Sequence, residues 1–326
     1  MVKGNDLNNN TNDNGKTLTR AEARRQARRS SLSWFVSVKY IFIRAWLLGI
    51  VKLFGLDGLY KFGVFFGTCE YLLQYKKRKR MYIRLAELFG KPLPIKQARE
   101  ICRKQMCRIR CDKMIYTIMD RINRQALLDR FTIEGQEYMD QAIKHGKGTF
   151  FMFSHQGSHH LGGILLTLSG YPIIGLRDPN ESPLRIYIQE QYEKSFPEFR
   201  DLQIMPSDSF ARSFFKAFRE NKIVAAAMDI WRDRGNVRTV KVKFFGQERE
   251  IMSGMTHIAL KSQAAILVGF VLSMPNYNFK VIFQPWLNDP QTDTESEETI
   301  VRVMQEYAGI IENHVKKYPD HISKTN

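Results

Sequence analysis

The chain has little cysteine for its size. Four are spread over 326 residues: Cys69 stands alone, and Cys102, Cys107 and Cys111 lie in a basic stretch of helical character. That spacing offers neither a disulfide framework nor closely paired ligands for a cysteine-only metal site, and it suits a reducing, cytosol-facing environment. Also missing is an uncharged apolar run of the ~20 residues that a membrane-spanning helix usually needs. The most apolar stretch, residues 33 to 73, is interrupted by Lys39, Arg44, Lys52, Asp57 and Lys61. Neither a clean apolar segment nor a small-residue cleavage site marks a signal peptide. Acidic residues are scarce, 33 against 50 lysines and arginines, which leaves a formal charge of +17. Such a surface seeks anions: nucleic acid, anionic lipid headgroups or an acidic carrier protein. No zinc-finger spacing or RNA-binding aromatic signature supports nucleic acid. Trp34, Phe35, Tyr40, Phe42 and Trp46, crowded among basic residues, favour lipid.

What is present divides the chain into three parts. Residues 1 to 32 read as a disordered basic leader, rich in Asn, Asp and Gly and then dense in charge at "RAEARRQARR" (20 to 29). Residues 33 to 130 read as a membrane-associated helical region, with 33 to 73 lying in the membrane interface and its basic residues snorkelling to headgroups. Two alternatives stay open for that stretch: a hydrophobic hairpin packed on the main domain, or one tilted anchor helix over 33 to 54. "KKRKR" (76 to 80) opens a basic helical stretch that runs to about residue 127 and suits an anionic surface. From 131 to 326, short apolar runs alternate with helical segments, the pattern of an α/β domain. The expected strands are 148–154, 172–176, 223–228, 240–245, 266–271 and 279–284. The expected helices are 135–145, 158–168, 183–194, 208–219, 253–262 and 295–316.

Three histidines stand out. "GTFFMF" (148 to 153) reads as a buried strand, and "SHQGSHHLGGILL" is the loop and helix start after it. Ligands of open α/β sheets gather at the carboxyl ends of strands, so His155 falls where an active site belongs. Ser158 is placed to cap the following helix, whose N-terminus favours a developing negative charge. His155 and His159 also have the i, i+4 spacing of a helical zinc pair, although no acidic residue lies between them.

Four blocks, "FSHQGSHHLGG", "GLRDPNESPL", "FFKAFRENKIVAAAMDIW" and "VKFFGQEREIMSGMTHIALKSQAAILVGFV", occur in the order and spacing of a known family. The chain resembles the bacterial lipid A late acyltransferases, the lauroyl/myristoyl branch of the lysophospholipid acyltransferase superfamily, from about residue 33 to 316. The resemblance implies a glycerol-3-phosphate acyltransferase-like fold, a mixed sheet flanked by helices. It implies direct transfer of an acyl chain from an acyl carrier protein or coenzyme A thioester to a hydroxyl of a lipid A-like glycolipid or a phospholipid. No further cofactor is implied, and no G-x-S-x-G nucleophile motif is present. The setting it implies is the cytoplasmic face of a bacterial inner membrane, with the chain peripheral or anchored through its N-terminal segment.

The family signature is His-x4-Asp/Glu, in which the histidine removes the acceptor's proton and the carboxylate orients the imidazole. His155 matches the base, but the carboxylate position falls on His160. A neutral His160 can hold the tautomer of His155 without balancing an imidazolium. Three ways out stay open: Asp178 or Asp229 supplies the missing acid, the acceptor is more acidic than a sugar hydroxyl, or the chain binds lipid without transferring an acyl group. The resemblance assigns Arg177, Ser253 and Gly254 to substrate binding, Arg177 as a forked donor to phosphate or carboxylate and Ser253–Gly254 as an anion-holding turn at a helix N-terminus. Ser158, at its own helix start, is expected on the substrate side, and Asp229, at the end of "KIVAAAMD", at the rim of the cleft.

Overall fold

The computed structural model describes residues 34–177, 183–199, 204–206, 211–229 and 238–322. The leader thus lies outside the described residues. The apolar stretch forms α1 (Trp34–Leu73), which changes direction at Gly55. There φ is 68° and ψ is −173°, a backbone that glycine adopts without a Cβ clash. Leu47 and Leu59 are buried, while Phe42, Leu53 and Phe54 are 71%, 75% and 68% exposed. α1 therefore has an inner face and an unusually apolar outer one. No helix among the described residues is long and apolar enough to cross a membrane.

Arg44 departs from the snorkelling expected of it. It is buried, pairs with Asp120 at 2.7 Å and donates to the Thr117 carbonyl at 3.0 Å. The charge interrupts the apolar run because it has an internal partner, and a buried guanidinium left unpaired would be strongly destabilising.

The basic stretch is helical as expected and is divided into separate helices. α2 (Tyr75–Phe89) stops at Gly90, left-handed at φ 67°, whose N–H donates to Glu87 O. Pro92 and Pro94 keep the chain from resuming a helix before α3 (Ile95–Ile118). A short α4 (Arg124–Leu128) follows, capped by the Asn123 side chain, which accepts from Gln125 N and Ala126 N.

The rest alternates strands and helices: β1 (Phe131–Glu134), α5 (Gln136–His145), β2 (Thr149–Phe153), α6 (His159–Leu168), β3 (Ile173–Arg177), α7 (Pro183–Ser195), β4 (Ile204–Pro206), α8 (Ala211–Arg219) and β5 (Ile223–Ala227). A ribbon of β6 (Thr239–Phe244) and β7 (Gln247–Met252) leads to α9 (Gly254–Lys261), β8 (Ala265–Met274), β9 (Asn278–Trp286) and α10 (Glu297–Lys317). Seven strands form one sheet in the order β1-β9-β8-β2-β5-β3-β4. Every neighbouring pair is parallel except β8 with β9. The architecture is the expected mixed sheet flanked by helices.

Central strands such as "TFFMF" read as unbroken apolar runs because both faces are covered. Phe150, Met152, Val224 and Ala226 share one core cluster with α2, α3 and α10. Phe151, Ile223, Ala225 and Leu267 pack with α5 on the other face. The helical region and the sheet thus share a core. β1, β4 and β7 escaped the sequence reading; β7, "QEREIM", is too charged to announce itself and belongs to the outlying ribbon.

Candidate active site

β2 and β5 lie side by side and parallel, with Phe153 level with Ala227. Two residues beyond each comes a polar side chain, His155 and Asp229, so equal steps from one register position bring them together. Met228 N donates to Phe153 O at 3.0 Å and carries the pairing just past the strand ends. The imidazole Nδ1 lies 2.8 Å from Asp229 Oδ1, and the backbone N–H of His155 donates to Asp229 Oδ2 at 2.8 Å. Both carboxylate oxygens therefore serve one residue, one fixing the loop and the other the ring. A carboxylate only accepts, so the ring donates from Nδ1 and keeps the Nε2 lone pair for a proton. The side chains are 19% and 16% exposed, sheltered yet reachable.

The i, i+4 pairing of His155 with His159 takes a different form. α6 begins only at His159, so the two histidines do not share a helical turn. Their rings meet edge-on at 5.0 Å. His159 stacks on Phe153 at 5.6 Å and meets the His160 ring at 3.9 Å. Among the described residues, no group of three or more His, Cys, Asp or Glu side chains is arranged to hold a metal ion.

The profile of the family described as bacterial lipid A biosynthesis acyltransferase matches residues 28–321. The chain belongs to this family. None of the curated proteins matches it in sequence. Among solved structures, the 1-acyl-sn-glycerophosphate (LPA) acyltransferase PlsC from Thermotoga maritima aligns over 80% of this chain and 96% of its own, at 14% identity and a TM-score of 0.36.

The carboxylate beside His155 does not come from position 160. Position 160, where a carboxylate was expected to orient the base, carries a histidine whose ring packs on His159 and lies 6.2 Å from Tyr116. The partner of His155 Nδ1 is Asp229 instead, one of the two acids considered for that role. Asp178 lies outside the described residues.

Arg177 ends β3, which pairs with the far side of β5. Its backbone thus joins the same carboxyl edge as the pair, and its side chain lies outside the described residues. Ser158 occupies the N-cap of α6, but its hydroxyl makes no cap bond. It donates instead to Asp112 Oδ2 and lies 2.6 Å from the Ser273 hydroxyl.

Ser253 and Gly254 sit at the N-terminus of α9. That helix of eight residues, ~12 Å long, ends just before Ala265, the partner of Thr149 at the start of β2. Around its first turn, Ser253 N donates to Arg238 O at 2.9 Å, and the Arg238 side chain reaches His257 at 3.0 Å and Glu297 at 2.9 Å. Ser253 is fully buried, and its hydroxyl has no hydrogen-bond partner among the described residues.

Two supporting residues were not singled out from the sequence. Tyr307 on α10 donates its buried hydroxyl to Phe153 O at 3.0 Å, and Asp112 on α3 receives Ser158. Both come from distant parts of the chain with no local motif to announce them. The cysteines are free, and burial pushes the Cys102 and Cys111 thiols up to about 11 and about 12, which leaves them unreactive packing groups.

Proposed function

We propose that the protein transfers a fatty acyl chain from an acyl carrier protein or coenzyme A thioester to a hydroxyl of a lipid A-like glycolipid or a phospholipid, with His155 as general base. The observation that carries this reading is the His155–Asp229 pair at the carboxyl edge of the sheet. Nε2 takes the proton of the acceptor hydroxyl as its oxygen attacks the thioester carbonyl. Asp229 stabilises the imidazolium that forms, in the manner of a triad carboxylate. When the tetrahedral intermediate collapses, the C–S bond breaks, and the imidazolium returns its proton to the departing thiolate. The products are the acyl ester and a free thiol, with no covalent acyl-enzyme. In this reading Arg177 and the Ser253–Gly254 turn at the N-terminus of α9, whose Ser253 hydroxyl has no partner among the described residues, take the negative charge on the carbonyl oxygen or on a substrate phosphate. The acid beside His155 favours catalysis over the rival reading of a lipid binder that has lost its acid.

The same reading puts the protein peripherally on the cytoplasmic face of a bacterial inner membrane. Phe42, Leu53, Phe54, Phe65, Leu72 and Leu73 form an apolar exterior on α1. Exposed Lys39, Lys52 and Lys61 lie among them, the composition of an interfacial helix on anionic lipid. The exposed Lys76, Lys79 and Arg80 of α2 offer an acidic carrier protein a complementary field. The test is transfer from radiolabelled lauroyl- and myristoyl-acyl carrier protein, and from the matching coenzyme A thioesters, to a total bacterial lipid extract. A labelled lipid whose mass identifies the acceptor is expected; no product from any donor overturns the reading.

A further inference from the structure

We propose that Asp112 is a positioning residue for His155, acting through Ser158 to hold the loop that carries the base. The proposal rests on the reading of His155 as the base. Between β2 and α6 the chain runs from Ser154 to Ser158 outside the main sheet, with an isolated antiparallel bridge from Gln156 to Ile322. The near end of this loop is fixed at Phe153 O, which accepts from Tyr307 Oη and from Met228 N, both at 3.0 Å. Asp229 holds His155 itself at the backbone and the ring, and the far end of the loop has a separate anchor.

That anchor is built from three parts of the chain. Gly157 N donates to His321 O at 2.6 Å, and Ser158 N donates to Val271 O at 3.1 Å. At Gly157 φ is 63°, and a Cβ would stand 1.8 Å from Val271 O, so only glycine lets the loop lie this close to β8. The buried Ser158 hydroxyl donates to Asp112 Oδ2, across 46 residues of sequence. Asp112 Oδ1 accepts from the Ser273 hydroxyl at 2.8 Å, and Oδ2 also accepts from Arg108 Nη1 at 2.9 Å. Arg108 Nε in turn donates at 3.1 Å to Asp320 O, in the same C-terminal segment that holds Gly157.

One carboxylate thus joins the loop, β8 and, through Arg108, the C-terminal segment. A carboxylate has about four acceptor sites, and here three donors from three elements take up most of them, which gives Asp112 little freedom to move. Its only partner on the loop is the residue three places after His155. A base displaced by ~1 Å loses ~10²-fold in rate, so releasing this anchor is felt at Nε2 even though Asp112 touches no substrate.

The test compares Ser158→Ala and Asp112→Asn with the native full chain, with folding verified by circular dichroism. Acyl transfer is measured with lauroyl-acyl carrier protein and bacterial lipid extract, alongside His155→Ala. The expected result is a fall in kcat of ~10- to 100-fold in each variant, with KM for the carrier protein unchanged. The double variant should lose no more than the worse single one, as expected of residues on one path. In a histidine-labelled sample, the downfield Nδ1 proton signal that Asp229→Asn abolishes should also weaken or shift in Ser158→Ala. Native kcat and an unmoved Nδ1 signal in a folded Ser158→Ala protein would overturn the proposal. A rise in KM at constant kcat would do so too, because it would make Ser158 a substrate contact. If His155→Ala retains full activity, the reading of the base fails first and the proposal falls with it, an outcome separable from loss at His155 with none at Ser158.

Discussion

Consider the replacement of Asp229 by asparagine, a change of one oxygen for one amide nitrogen. In the native pair the carboxylate accepts two N–H groups of the same residue, the ring at 2.8 Å and the backbone at 2.8 Å. An amide has one acceptor and one donor end, so it cannot serve both. If its oxygen faces the backbone N–H, its NH₂ group faces the ring and drives the proton to Nε2, where the base must be free. If its oxygen faces the ring, the backbone N–H of His155 loses its partner and no charge balances the imidazolium. The comparable change in a triad costs ~10⁴-fold in kcat, or ~5.4 kcal/mol at ~1.36 kcal/mol per tenfold. Because the pair is partly open to solvent, a loss of ~10³- to 10⁴-fold is the expectation for Asp229→Asn. Asp229→Glu keeps the charge on a longer arm and should recover to within ~100-fold of the native rate. The assay is initial-rate transfer from radiolabelled acyl carrier protein to lipid extract, at saturating donor. Asp229→Asn within ~10-fold of native would refute the orienting role of Asp229.

Other consequences are independent of that one. His160→Ala should stay within ~10-fold of the native rate in the same assay, since Asp229 holds Nδ1; a loss approaching that of a triad carboxylate would return the orienting role to position 160. Phe42→Asp and Leu53→Asp, on the outer face of α1, should each weaken binding to phosphatidylglycerol vesicles by at least ~10-fold in a sedimentation assay, and unchanged binding would exclude that face. Burial, reinforced by the nearby charges of His321 and Lys317, pushes His314 down to about 3. The unfolded chain therefore takes up a proton at ~6.5 that the folded chain refuses. The stability contribution is complete above that pH and falls as pH drops toward 3, by up to ~1.4 kcal/mol per unit. Urea unfolding at pH 7 and pH 5 should show a smaller pH dependence in His314→Gln than in the native protein, and equal slopes would contradict the assignment.

Much of the α/β region was legible because its signals are local. Apolar runs such as "TFFMF" and "IVAAA" bounded by polar residues gave strands within a few residues of their observed ends, and α5, α6 and α10 followed from their periodicity. The two halves of the site were each visible as a polar residue after a buried strand. Their meeting was not, because it depends on β2 and β5 being neighbours in register across 74 residues of sequence. The resemblance drew attention to position 160, where the family pattern puts its acid, while the carboxylate that meets His155 follows the neighbouring strand β5. Arg44 was misread for a similar reason: its partner Asp120 lies on another element, and no local pattern distinguishes a buried ion pair from a snorkelling cation. β7 and Asp112 were hidden by charge, which in sequence reads as surface.

The role of His155 is tested most directly by acyl transfer from radiolabelled acyl carrier protein by the native chain and by His155→Ala, with products resolved by mass. The expected result is a labelled lipid ester from the native protein and a loss of at least ~10³-fold in the variant, without loss of fold or of vesicle binding. The same labelled ester formed at an undiminished rate by His155→Ala would contradict that role.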